Sequence, residues 1–133
     1  MIGLILAGWL TVGGGAPLRI IGESMEPTLR SGRAYHYTTI DADATVERGD
    51  IVVFQFGYRS KRGQHPLVKR VVGVPGDSLG ARHGREVPAF ETRATVPEGS
   101  YYVQGDNPSG RYDSRTFGLI SRSQILGKVV PAP

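Results

Sequence analysis

Apolar and polar positions alternate in short runs along this chain. Leu18 to Ile21, Arg33 to Ile40, Ile51 to Phe56, Leu67 to Val74, Ser100 to Gln104 and Gln124 to Val130 are rich in β-branched or aromatic residues and bounded by Gly, Pro, Asp or Asn, which predicts strands. No stretch keeps apolar residues recurring at three and four positions for as long as a helix needs. The expected fold class is therefore all-β, a compact antiparallel sheet or barrel-like domain. Ile51 to Phe56 is apolar on both faces and predicted to be central. Ser78 to Gly99 is polar, bears glycines and contains Pro88 and Pro97, so it reads as a meander or short hairpin.

The amino end departs from this pattern. Met1 to Leu18 carries no charge, and the apolar run from Ile2 to Val12 is broken only by Gly3, Gly8 and Thr11. A helix over that run would span about 16 Å, roughly half of a hydrocarbon core. Gly13-Gly14-Gly15 followed by Pro17 resists lengthening it. No basic stretch or small-residue cleavage site marks a removable signal peptide. Three readings stay open: the end of a shortened membrane anchor, a short insertion into one leaflet, or a buried first strand.

With 133 residues the chain is long enough for one core and too short for two ordinary domains. It contains no cysteine, which excludes disulfides, zinc-thiolate sites and a cysteine nucleophile. Any nucleophile must be an oxygen or an amine. The net charge of +4 favours an anionic partner surface. Arg59-Ser60-Lys61-Arg62-Gly63, the densest basic cluster, lacks interleaved aromatics and reads as a hairpin tip, with lipid contact expected ahead of nucleic acid.

The usual serine, histidine and carboxylate arrangement is poorly represented. Gly22-Glu23-Ser24-Met25-Glu26 has the glycine of a nucleophile elbow only before the serine. His36 lies between tyrosines on a predicted strand, His65 precedes a proline and His83 sits in a glycine-rich stretch, all expected to be structural or exposed. No cluster has metal-ligand spacing, and no cofactor is implied. A lysine can replace histidine as the base when burial keeps its amine neutral. On the strand Leu67 to Val74, alternation puts Lys69 on one face with Leu67 and Val71, while Arg70 shares the other with Val68 and Val72. Such a lysine either loses its proton or snorkels from an edge strand, where it would guard against aggregation. Ser24, with Gly22 allowing close backbone approach and Pro27-Thr28 forcing a rigid exit, is expected at a strand end with its amide aimed at an oxyanion, or else is a plain turn residue.

In this order the segments resemble the conserved boxes of type I signal peptidases, membrane-bound serine proteases with a Ser-Lys dyad. Gly22-Glu23-Ser24-Met25-Glu26-Pro27-Thr28-Leu29 is similar to the serine box and Arg48-Gly49-Asp50-Ile51-Val52-Val53-Phe54 to the strand box after it. Val68-Lys69-Arg70-Val71-Val72-Gly73-Val74-Pro75-Gly76-Asp77 resembles the lysine box, and Gly105-Asp106-Asn107 with Asp113-Ser114-Arg115 and Gly118 the last box. The resemblance covers most of the chain. It implies that Ser24 attacks the scissile carbonyl, that neutral Lys69 takes its proton, and that water releases an acyl-enzyme. It also implies oxyanion or substrate-proximal roles for Gly22 and Met25. Arg70 would pair with Asp106 and Asp113 with Arg115, these residues, Asn107 and Ser114 supporting the site structurally. Gly22 stands where some relatives have a hydroxyl that donates to the oxyanion. Arg111 stands where the family usually has a lysine-orienting serine; it would either repel the charged lysine or point outward and leave Ser109 or a water to orient the amine.

By the same resemblance, residues 1–17 are read as an apolar membrane anchor, whole or truncated, and 18–133 as a single β-rich catalytic domain on the extracytoplasmic face of a membrane. The short stretch from Asp77 to Gly105 implies that the large second domain of some relatives is missing. The partners implied are membrane lipid and exported precursors with small residues one and three places before the cut. Alternatives are a peptidase maturing conjugative pilins, a repressor-type self-cleaving Ser-Lys protease, and a non-catalytic membrane-surface module on the same fold.

Overall fold

A computed structural model describes residues 3–4, 15–56, 59–60, 63–64, 66–78, 95–110 and 112–130. In chain order the strands are β1 (Gly3–Leu4), β2 (Ala16–Ile20), β3 (Ala34–Thr39), β4 (Ile51–Phe54), β5 (Arg59–Ser60), β6 (Gly63–Gln64), β7 (Leu67–Gly73), β8 (Ser100–Gln104), β9 (Ile120–Ser121) and β10 (Ile125–Val130). Their pairings are antiparallel, as the all-β reading expects. Eight of them form one sheet in the order β1-β2-β3-β10-β4-β7-β8-β9, which curls into a half-barrel, and β5 and β6 form a separate hairpin. Among the described residues the one α-helix is the single turn α1 (Ser114–Phe117).

Burial follows the alternation. All four residues of β4 are buried, because both faces of this central strand are covered. Ile51 and Val53 join Leu18, Ile20, Met25, Leu29, Val68 and Val129 on one face. Val52 and Phe54 join Leu67, Val71, Tyr101, Val103, Ile120 and Ile125 on the other. Full burial of a side chain such as Phe54 is worth roughly 1.5–3 kcal/mol, so β4 is the strand on which both layers of core depend. β7 lies against β4 with Val52 opposite Lys69, and against β8 with Val71 opposite Val103.

At the amino end, β1 pairs with Arg19 and Ile20 of β2, and β2 begins at Ala16, with Ala16 and Pro17 lying opposite Tyr37 and His36 of β3. The rest of the uncharged segment up to residue 14 lies outside the described residues, as do Lys61 and Arg62 of the basic tip and residues 79–94 of the predicted meander. An isolated bridge, Ser78 to Thr95, closes the base of that excursion.

Candidate active site

The segment carrying Ser24 leaves β2 through a tight turn. Ile20 makes the last strand bond, its N–H to Arg33 O at 3.1 Å, and Gly22 then takes φ 101°, which only glycine adopts readily. Ser24 therefore sits inside the turn, four residues past β2, and not at a strand end as expected from the sequence. The turn is stitched by Glu26 N–H to Glu23 O (3.0 Å), Leu29 N–H to Met25 O (2.9 Å) and Gly22 N–H to Ser31 Oγ (3.1 Å). Met25 and Leu29 bury their side chains in the core, so the turn is anchored on apolar contacts while Ser24 stays half-buried.

Lys69 is 1% exposed. Its strand lies between β4 and β8, which removes the edge-strand alternative. It leaves the sheet on the face of Leu67, Val71 and Val52, among apolar side chains. Burial pushes its amine down from 10.5 to about 8; the Asp113 carboxylate acts upward and the Arg115 guanidinium downward.

Residues 105–115 bring the turn and the strand together. Gly105 follows directly on Gln104, which lies opposite Arg70 in the register of β8 with β7. A Cβ at Gly105 would stand 2.5 Å from Ser24 O and 3.5 Å from Ser24 Cβ, so glycine here lets the Ser24 turn settle against the end of β8, the strand next to that of Lys69. Gly110 approaches the other side of Ser24, where an added Cβ would lie 3.8 Å from its Cα and Cβ. Asn107 clamps the turn twice, donating its N–H to Ser24 O and its Nδ2 to Glu23 O, both at 2.9 Å. The sequence motif contained these glycines, but their close contact with Ser24 has no signature in spacing.

The supporting residues form two charged pairs. Arg70 grips Asp106 with Nε to Oδ1 and Nη2 to Oδ2, each 2.8 Å, and sends Nη1 to Gly49 O at 2.7 Å. Asp113 is 1% exposed and accepts from Arg115 Nε (2.9 Å), Arg115 Nη2 (2.7 Å) and the Gly105 N–H (3.1 Å). Burial acts to raise the Asp113 pKa, but these bonds and the Arg115 amide together hold its carboxyl below the usual range. Ser114 is fully buried and its Oγ accepts the Val103 N–H at 2.8 Å, joining α1 to β8. His36 is exposed; His65, His83 and Arg111 lie outside the described residues. Among the described residues no three His, Cys, Asp or Glu side chains are grouped to hold a metal.

Within an all-β domain, then, lie a buried lysine of lowered pKa and a half-buried serine whose turn is joined to the lysine's strand through Thr28, Asp106 and Arg70. The sequence profile described as signal peptidase, peptidase S26 matches residues 1–85 and 79–132. Signal peptidase IB of Staphylococcus aureus is 33% identical over 147 residues, spanning 85% of this chain and 74% of the relative. Signal peptidase I of Bacillus licheniformis is 31% identical over 138 residues, spanning 84% of this chain and 72% of the relative. A crystal structure of a signal peptidase I from Enterococcus faecalis V583 superposes with a TM-score of 0.45 at 27% identity, covering 65% of this chain and 98% of that one. The chain belongs to the signal peptidase, peptidase S26, family, and it is a serine endopeptidase.

Proposed function

We propose that this chain removes signal peptides from exported precursors with Ser24 as nucleophile and Lys69 as base. The observation that supports this best is the amine of Lys69, 1% exposed and lowered to about 8, on the strand to which the Ser24 turn is tied through Thr28, Asp106 and Arg70. In the first step Lys69 Nζ accepts the Ser24 hydroxyl proton as Oγ bonds to the scissile carbonyl carbon. The amine then returns that proton to the departing peptide nitrogen, and water, activated by the same lysine, hydrolyses the acyl-serine. The Ser24 amide meets the oxyanion, with Gly22 and Met25 next to the substrate.

The substrates are precursors with small residues one and three places before the cut. Residues 1–17, of which Gly3–Leu4 and Ala16–Pro17 also pair within the sheet, serve as the apolar contact with the membrane and 18–133 as the catalytic domain, on the extracytoplasmic face. The uncharged run of residues 1–18 and the net charge of +4 support this reading. Among the described residues no helix is long and apolar enough to cross a bilayer.

The test is cleavage of a precursor bearing an Ala-x-Ala site by the detergent-solubilised protein, beside Ser24→Ala and Lys69→Ala, across pH. Both substitutions abolish turnover. The unmodified enzyme gains about tenfold in rate per pH unit up to about 8 and then levels, because only the neutral amine serves as base. Undiminished cleavage by Lys69→Ala removes the dyad, and an inert unmodified protein leaves a membrane-surface module.

A further inference from the structure

The Ser24 turn and the Lys69 strand meet at one carboxylate that does no chemistry of its own. Asp106 takes Arg70 in a bidentate grip, and Arg70 follows Lys69 directly on β7. Its Oδ2 also accepts the Thr28 hydroxyl at 2.6 Å, and Thr28 closes the turn that carries Ser24. On either side of Asp106, Gly105 packs against Ser24 and Asn107 bonds to Ser24 O and Glu23 O. The turn is thus tied at residues 23 and 24 through Asn107, and at residue 28 through a hydroxyl.

We infer that Thr28 is a positioning residue, its hydroxyl holding the Ser24 turn through Asp106 and Arg70 at the separation from Lys69 that proton transfer requires. The inference rests on the Ser24 and Lys69 reading above. An O–H bond to a carboxylate is short and about twice as strong as a neutral one, and the 2.6 Å contact has that length. The Asp106 side chain is only 17% exposed, so water substitutes poorly for the lost donor. Thr28 itself is exposed, so its contribution is the hydroxyl and not packing. Reacting groups displaced by about 1 Å lose roughly a hundredfold in rate, whereas substrate affinity is set elsewhere.

The test compares Thr28→Val, Thr28→Ser, Asp106→Asn and the Val/Asn double variant, with Ser24→Ala and Lys69→Ala as controls, in steady-state cleavage of an Ala-x-Ala peptide. Thr28→Val lowers kcat by about 10- to 100-fold with KM within about twofold, the scale of a lost hydrogen bond to a charged acceptor. Its pH profile drops without sliding, since burial, Asp113 and Arg115 govern the Lys69 amine. Thr28→Ser restores kcat to within about threefold, and the double variant loses less than the product of the two single losses, because Asp106→Asn already weakens the acceptor of the same bond. Circular dichroism and urea midpoints matching between the Val and Ser variants separate lost rate from lost fold. Thr28→Val turning over at the unmodified rate, or Thr28→Ser as slow as Thr28→Val, overturns the inference. Active Ser24→Ala or Lys69→Ala overturns the dyad reading instead.

Discussion

Lys69 carries its amine among Leu67, Val71 and Val52, where a charge is costly, and the cost has a sign and a pH window. The amine titrates at about 8 in the folded chain against 10.5 when exposed. Between those values the unfolded chain binds the extra proton, so stability falls as pH falls, reaching its full loss below about 8 and vanishing above about 10.5. The difference amounts to about 3 kcal/mol. Lys69→Met is expected to gain roughly 2–3 kcal/mol of stability near neutral pH while losing cleavage, the gain shrinking toward zero above the ordinary lysine range. Urea unfolding at both pH values measures it; a variant no more stable than its parent would mean that the amine is well solvated. The alternation that placed Lys69 on an apolar face was legible in the sequence. Whether the strand was an edge or a centre was not, because that depends on β8 folding back from some thirty residues downstream.

Strands were legible where β-branched or aromatic residues concentrate over four or more positions, as in β2, β3, β4, β7, β8 and β10. The two-residue strands β1, β5, β6 and β9 and the single turn α1 are too short to show a period. What makes α1 is local chemistry at its ends: Asp113 caps it by accepting the Arg115 N–H, and Gly118 at φ 83° ends it. The same carboxylate holds Arg115 and the Gly105 N–H, so one residue serves the helix, the end of β8 and the field around Lys69. Its lowered pKa means that this stabilisation is present above the ordinary carboxylate range and is lost as pH falls through the folded value. Asp113→Ala removes the carboxylate that accepts from a buried guanidinium and from two amides, those of Gly105 and Arg115, and is expected to cost about 3–5 kcal/mol. Urea unfolding checks this, with Asp113→Ala/Arg115→Leu expected to recover part of the loss; a single variant close to its parent would show that Arg115 finds water instead.

At the scale of the molecule, β10 enters between β3 and β4, so a strand late in sequence completes the centre of the sheet. Periodicity carries no trace of such an order, since it records which face a residue takes and not which strand lies beside it. The charge balance, by contrast, is readable from composition alone. On the proposed reading, a formal charge of +4 would draw the chain to anionic headgroups, while the uncharged amino segment would offer apolar contact that salt does not weaken. Membrane association as proposed above then has two separable parts. The screening length shrinks from about 10 Å at 0.1 M salt to about 3 Å at 1 M, so the electrostatic part fades over that range and the apolar part persists. Cosedimentation with vesicles containing phosphatidylglycerol is expected to fall toward the level seen with phosphatidylcholine alone as salt rises, without reaching zero. Cleavage of a short soluble peptide, which meets Ser24 without a bilayer, is expected to stay nearly constant across the same series. Binding that ignores both salt and lipid charge would assign the association entirely to the apolar segment and leave the basic excess without a membrane role.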